Sequence, residues 1–344
     1  MRPTHLSHFL AQAIAARLPV LITGAPGIGK SDLVAQAAQA AGADLILSHP
    51  AVADPTDAKG LPWVSPDKKS ATFLPFGELA QAIKATTSTV WFLDDLGQAP
   101  ASVQASFMQL LLARRVNGHA LPDCVSFVAA TNRRTDRAGV TGILEPVKSR
   151  FVSIVELEPN LDDWCQWAFS AGMPPELVAF LRFRPDLLCA FAPSADLTNC
   201  PLPRTWAHVG KLLALGLPQA IQHAALTGAV GEGAAVEFGA FLRLYLELPA
   251  IDGILLDPDA SEIPKMPATL YAVATALGTR STVQNFGRIA RYAQRLVDAQ
   301  HGEFAALLVR DCARREKGIM QTTAFVKLMS GPGLGELVSG GGGQ

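Results

Sequence analysis

The chain has 344 residues, 49% of them hydrophobic and 17% charged. That is too long for one small core and points to two domains, with apolar surface to spare for burial between subunits. A formal net charge of −1 argues against a strongly electrostatic nucleic-acid binder, leaving only a local basic patch open, and no apolar run is long enough to span a membrane.

In chain order, the first element is an apolar strand, Pro19 to Thr23, followed by Gly24-Ala25-Pro26-Gly27-Ile28-Gly29-Lys30-Ser31 and then the helix-forming run Asp32 to Ala38. The octapeptide matches G-x-x-x-x-G-K-[ST], a phosphate-binding loop, and here it has the strand before it and the helix after it that such a loop needs. Its glycines let backbone N–H groups turn toward phosphate oxygens, and the helix N-terminus adds partial positive charge. Lys30 is expected to reach the outer phosphates, and Ser31 to place its hydroxyl on Mg²⁺.

A second strand is expected near 44–48. Gly60 to Val64 and Ala71 to Pro75 flank the polar turn Ser65 to Lys69 and read as a hairpin. Thr89 to Leu93 is a continuous apolar run that ends in Asp94-Asp95. A strand buried on both faces and closed by carboxylates suits a magnesium site. Asp94 is expected to hold the ion through water, and Asp95 to orient or deprotonate an attacking water. A helix follows from Ala101 to Ala113, after Pro100. Arg115 to Ala120 contains Asn117-Gly118, a strong hairpin signal.

A further apolar strand, Val125 to Ala130, ends in Thr131-Asn132. The amide of Asn132 can hydrogen-bond the attacking water or the terminal phosphate. Leu144 to Phe151 leads into a last strand near 151–156. Strand and helix alternate to this point, which implies a parallel sheet covered on both faces. After Pro159 the pattern is helical, with runs at 162–168, 207–215, 233–247, 268–277 and 285–296.

These motifs in this order resemble the AAA+ ATPases, and within them the MoxR-like group, over about Leu6 to Arg204. Asp94 to Pro100 followed by Val103-Gln104, and Asp54 to Pro62, are similar to that group's segments. The resemblance implies the strand order 5-1-4-3-2, an α-helical lid after the α/β core, and an ATP-driven ring, most often hexameric. It implies Asn132 as first sensor, Arg150 of Ser149-Arg150-Phe151 as an arginine finger offered to a neighbour, and Arg204 of Pro203-Arg204-Thr205-Trp206 as second sensor. Arg133, Arg134 and Arg137 compete with Arg150 for that role. It also implies a protein client, often a von Willebrand factor A-type protein. The family usually carries Glu where this chain has Asp95, a shorter carboxylate, which bears on the rate of hydrolysis more than on binding.

The expected organisation is an α/β core over 1–158, a helical lid over 159–230, an added helical region over 231–338 and a glycine-rich tail over 339–344. The five cysteines form no C-x-x-C pair, which excludes the usual zinc spacings and a disulfide framework and fits a reduced cytoplasm. The N-terminal residues make no convincing signal peptide, so a cytosolic protein is expected. His49 and His119 read as surface or packing residues. Two alternatives stay open: a nucleic-acid motor subunit, and an ATP-binding switch with little turnover.

Overall fold

Five apolar runs pair in parallel: β1 (Val20–Thr23), β2 (Asp44–Ser48), β3 (Thr89–Leu93), β4 (Val125–Thr131) and β5 (Ser153–Glu156). Across the sheet they lie β2-β3-β4-β1-β5, which read from the opposite edge is 5-1-4-3-2. This is a computed structural model, and it describes residues 1–66, 69–136, 139, 141–192, 197–248, 250–331 and 334–335. Asp67 and Lys68 of the expected turn, and the expected tail 339–344, lie outside the described residues.

The chain divides into two compact units, Met1–Asp163 and Trp164–Gln344. In the first, helices α1 (Pro3–Ala15), α2 (Lys30–Ala40), α3 (Pro55–Lys59), α4 (Gly77–Ile83), α5 (Ala101–Ala113) and α6 (Glu145–Lys148) accompany the sheet. Central strands β3 and β4 are buried at every residue, so their side chains alternate between two covered faces. Leu21, Ile46, Trp91 and Phe127 join Val103, Phe107 and Leu110 of α5 in one core. Trp91 stacks on Phe127 at 5.5 Å and meets Phe107 edge-on at 5.9 Å, while its indole N–H donates to Ser48 Oγ at 2.8 Å. Each fully buried side chain of this size contributes about 1.5–3 kcal/mol. Val20, Ile22, Val90, Phe92 and Val128 are buried on the other face.

The N-terminus of α1 is capped from far along the chain. Asp163 accepts the Thr4 backbone N–H at 2.9 Å and Arg2 Nε at 3.1 Å. A carboxylate suits a helix N-terminus because of the unpaired N–H groups and positive dipole end there. Burial alone would raise the Asp163 carboxyl, but the hydrogen bonds from Arg2 and Thr4 outweigh it and hold it below its ordinary value.

Two antiparallel hairpins leave this unit. Leu61–Val64 pairs with Ala71–Leu74, and Arg115–Val116 pairs with His119–Ala120. The first exposes Leu61, Trp63, Val64, Phe73 and Leu74, with Trp63 62% exposed. The second touches it through His119, whose Nε2 meets Phe73 O at 2.7 Å, while Asn117 Nδ2 donates to Lys59 O at the end of α3 at 2.8 Å.

The second unit is helical. The division falls in the first turn of α7 (Leu161–Ser170), and α8 (Pro175–Phe183), α9 (Pro203–Leu213), α10 (Gln219–Val230), α11 (Glu232–Leu246), α12 (Ile251–Leu256), α13 (Pro267–Thr279), α14 (Phe286–Asp298), α15 (Gly302–Arg315) and α16 (Thr323–Met329) follow. Helix α13 packs on both α8 and α15. One core gathers Val273, Leu277, Phe286, Tyr292 and Leu308, and an aromatic group joins Phe180 to Trp206 and Phe238 at 5.5 and 5.0 Å. Inside it Arg182 and Asp311 form a bidentate pair at 2.6 and 2.8 Å, with Thr275 also accepting from Arg182 at 3.1 Å. Burial alone would depress the Arg182 pKa, but the attraction and hydrogen bonds of Asp311 outweigh it and keep the guanidinium charged. Among the described residues no helix is long and apolar enough to cross a membrane.

Candidate nucleotide site

The site is built at the C-terminal ends of β1, β3 and β4. Thr23 pairs with Thr131, so the next residues, Gly24 and Asn132, leave the sheet side by side. Leu93 pairs with Ala129, which brings Asp94 and Asp95 off the neighbouring strand. Ligands of open parallel sheets bind at this end because the loops there are free to diverge.

The loop needs glycine at both ends. A Cβ on Gly24 would lie 2.8 Å from Leu157 O, a backbone atom that cannot move aside cheaply. Gly29, at φ 91°, caps α2 in the left-handed region that glycine adopts without steric cost. Between them Ala25 and Ile28 are buried, and Pro26 and Gly27 complete the turn. Lys30 opens α2 and is buried, its ammonium donating to Gly24 O and Ala25 O at 2.9 Å each and to Asn132 Oδ1 at 2.6 Å. A phosphate oxygen reaching Lys30 competes with these acceptors for its three protons.

Ser31 Oγ donates to Asp94 Oδ2 at 2.6 Å, and the Asp95 N–H donates to Asp94 Oδ1 at 3.1 Å. A hydroxyl and a carboxylate side by side are hard oxygen donors, suited to a magnesium ion that completes its shell with water and phosphate oxygens. Among the described residues no cluster of three or more His, Cys, Asp or Glu is placed to hold a metal alone. The donor pair therefore fits Mg²⁺ bound together with phosphate.

Asp95 has a left-handed backbone, φ 56° and ψ 34°, uncommon for a residue other than glycine. Its Oδ1 receives Gln98 Nε2 at 2.8 Å, with Asn132 Nδ2 at 3.5 Å. The expected residues Lys30, Ser31, Asp94, Asp95 and Asn132 thus form one connected polar group. Gln98 joins it, and the sequence reading gave this residue no role. Among the described residues its buried Oε1 has no hydrogen-bond partner, a situation that costs about 1–3 kcal/mol. The available signal was an amide three residues after Asp95, the spacing of one tight turn.

A second residue without an assigned role is Gln104. It is 1% exposed in a largely apolar helix and donates to Ala99 O and Gly142 O while accepting the Leu144 N–H. It thereby fixes the segment that leads into α6 and Arg150. An amide at a core-facing helix position is the sign that would have found it.

Among the described residues of the first unit, Arg150 and Arg133 bond outside this group. Arg150 donates to Met108 O at 2.9 Å and to Pro146 O. Arg133 is held by Asp136 and Glu156, and the hydrogen bond it donates to Asp136 raises its pKa. Arg134 is exposed, and Arg137 lies outside the described residues. Arg204 is exposed in the first turn of α9, in the second unit, where Thr205 Oγ1 caps the helix by accepting the Leu202 N–H at 2.8 Å.

Residues 19–151 match the family model of the AAA domain, dynein-related subfamily. No curated relative matches the chain. Among solved structures, the RuvB Holliday junction branch migration motor of Thermotoga maritima is 13% identical, with 80% of each chain covered and a TM-score of 0.39. NtrX of Brucella abortus, in complex with ADP, is 15% identical, with 88% of this chain and 68% of that chain covered and a TM-score of 0.42. The stretch from 19 to 151, which contains the loop and both acidic residues, is similar to the AAA domain.

Proposed function

We propose that this protein binds Mg²⁺-ATP and hydrolyses it to ADP and phosphate, as a MoxR-like AAA+ ring that remodels or activates a protein partner. The observation that carries the ATPase reading is the convergence of Lys30, Ser31, Asp94, Asp95 and Asn132 at adjacent strand ends. In this reading the loop N–H groups and Lys30 hold the phosphates, and Ser31 with Asp94 holds Mg²⁺, which when bound neutralises phosphate charge. Asp95 takes a proton from water as its oxygen forms a bond to the γ-phosphorus. The bridging P–O bond breaks, and its electron pair leaves with ADP.

The MoxR-like assignment rests on the order of motifs from the loop to Pro203-Arg204-Thr205-Trp206. With it come a hexameric ring, Arg150 acting on a neighbour's nucleotide, Arg204 contacting nucleotide from a helical lid, and a von Willebrand factor A-type client. The net charge of −1 favours a protein client over nucleic acid.

The test is phosphate release from Mg²⁺-ATP by the parent and by Asp95→Asn. The parent should turn over, and the variant should bind ATP with parental affinity and lose turnover, because an amide cannot accept the proton. Parental turnover by Asp95→Asn would overturn Asp95 as the base. A parent that binds but does not hydrolyse would leave a nucleotide switch.

A further inference from the structure

We infer that Gln98 is a positioning residue that sets the carboxylate of Asp95 for water activation. The inference rests on the ATPase reading and deepens it. Gln98 ends a tight turn that begins at Asp95, and it grips that residue twice. Its backbone N–H donates to Asp95 O at 3.0 Å, and its side-chain Nε2 donates to Asp95 Oδ1 at 2.8 Å. The left-handed backbone of Asp95 turns the residue back toward this amide.

The direction of the amide follows from charge. Rotating it by half a turn would set an oxygen against a carboxylate oxygen, so the N–H end must face Asp95. Oδ1 is thereby committed to Gln98 and, at 3.5 Å, to Asn132, and among the described residues no donor reaches Oδ2. One carboxylate oxygen is anchored and the other is left to take the proton of water.

The same orientation leaves Gln98 Oε1 buried, with no hydrogen-bond partner among the described residues.

Gln98→Met keeps length and shape but removes donor and acceptor. Calorimetric affinity for Mg²⁺-ATP should stay within about twofold, while kcat falls by about tenfold or more, part of the 10²–10⁴ that a positioned base supplies. In an Asp95→Asn background, single-turnover rates should show no further loss, because the base served by Gln98 is already gone. The nucleotide-free protein provides a readout independent of activity: the thermal-stability changes of Gln98→Met and Asp95→Ala should be non-additive.

A parental kcat in Gln98→Met, an equal loss in the Asp95→Asn background, a collapse of affinity, or additive stability changes would each overturn the inference. If the parent shows no Asp95-dependent turnover, the ATPase reading fails instead. The stability cycle still decides whether Gln98 holds Asp95.

Discussion

Lys30 Nζ lies 2.6 Å from Asn132 Oδ1, joining the first residue of α2 to the residue that follows β4. The cation expected to grip the outer phosphates is thus bonded to the amide expected to face the terminal one. A nucleotide that draws Lys30 toward its phosphates loosens its hold on Asn132, and the Asn132 amide is then free to turn toward the γ-phosphate or water.

Lys30→Ala should lower Mg²⁺-ATP affinity by about 10² or more, since charge-assisted hydrogen bonds contribute about 1.5–3 kcal/mol each. Isothermal calorimetry measures it. Asn132→Ala should keep most of the affinity and lose turnover. Unchanged affinity in Lys30→Ala would remove the loop from the nucleotide site.

Arg150→Ala should bind ATP normally yet lose most turnover if its guanidinium serves a neighbour, as for fingers worth about 10³–10⁵ in rate. Mixing it with Lys30→Ala should restore partial activity, because an intact finger then meets an intact loop across a subunit boundary. ATPase activity per subunit should also rise with protein concentration. A mixture as inactive as its components, under conditions where mixed assemblies are shown to form, rejects the shared site.

Asp311→Ala should destabilise the helical unit by about 3–5 kcal/mol, because it strands the buried Arg182 charge without its partner. The site has no slack to rearrange: a Cβ on Gly278 would lie 2.9 Å from Asp311 Cβ. Replacing both partners together, as Arg182→Met with Asp311→Leu, should recover most of the loss. The urea midpoint of the far-ultraviolet signal reports both effects.

Asp163→Asn should destabilise the first unit in a pH-dependent way. The folded pKa of Asp163 is depressed, so its stabilisation is fully present above the ordinary carboxylate value of about 4 and is lost as pH falls through the folded value. The gap in melting temperature between parent and variant should be constant near neutrality and narrow below about pH 4. A gap that widens in acid would reverse the assignment.

The strands were legible because each is a short apolar run bounded by a turn signal. Thr89 to Leu93 reads as a strand buried on both faces and Val125 to Ala130 as an apolar strand, and both are buried throughout. The site was legible for the same reason: Gly24 to Ser31, Asp94-Asp95 and Asn132 sit at strand ends, where polar residues interrupt apolar runs. The sequence reading did not name α8 or α15, and so it missed Arg182 and Asp311. Their pairing spans far-separated helices and leaves no local pattern. Gln98 and Gln104 were visible as residues but not as contacts, because a hydrogen bond to Asp95 or to Gly142 O depends on the folded turn rather than on composition.

The two hairpins are less separate than their spacing along the chain implies. Asn117 holds the backbone of Lys59 at the end of α3, His119 holds that of Phe73 in the first hairpin, and beyond the second only Leu121 to Cys124 precede β4. That strand is enclosed at every residue and ends beside Asn132, so the second hairpin and the expected sensor amide stand at opposite ends of one buried strand. In mechanical terms, the hairpin that carries Trp63 reaches the candidate site through the His119–Phe73 contact, the connection Leu121 to Cys124 and one buried strand.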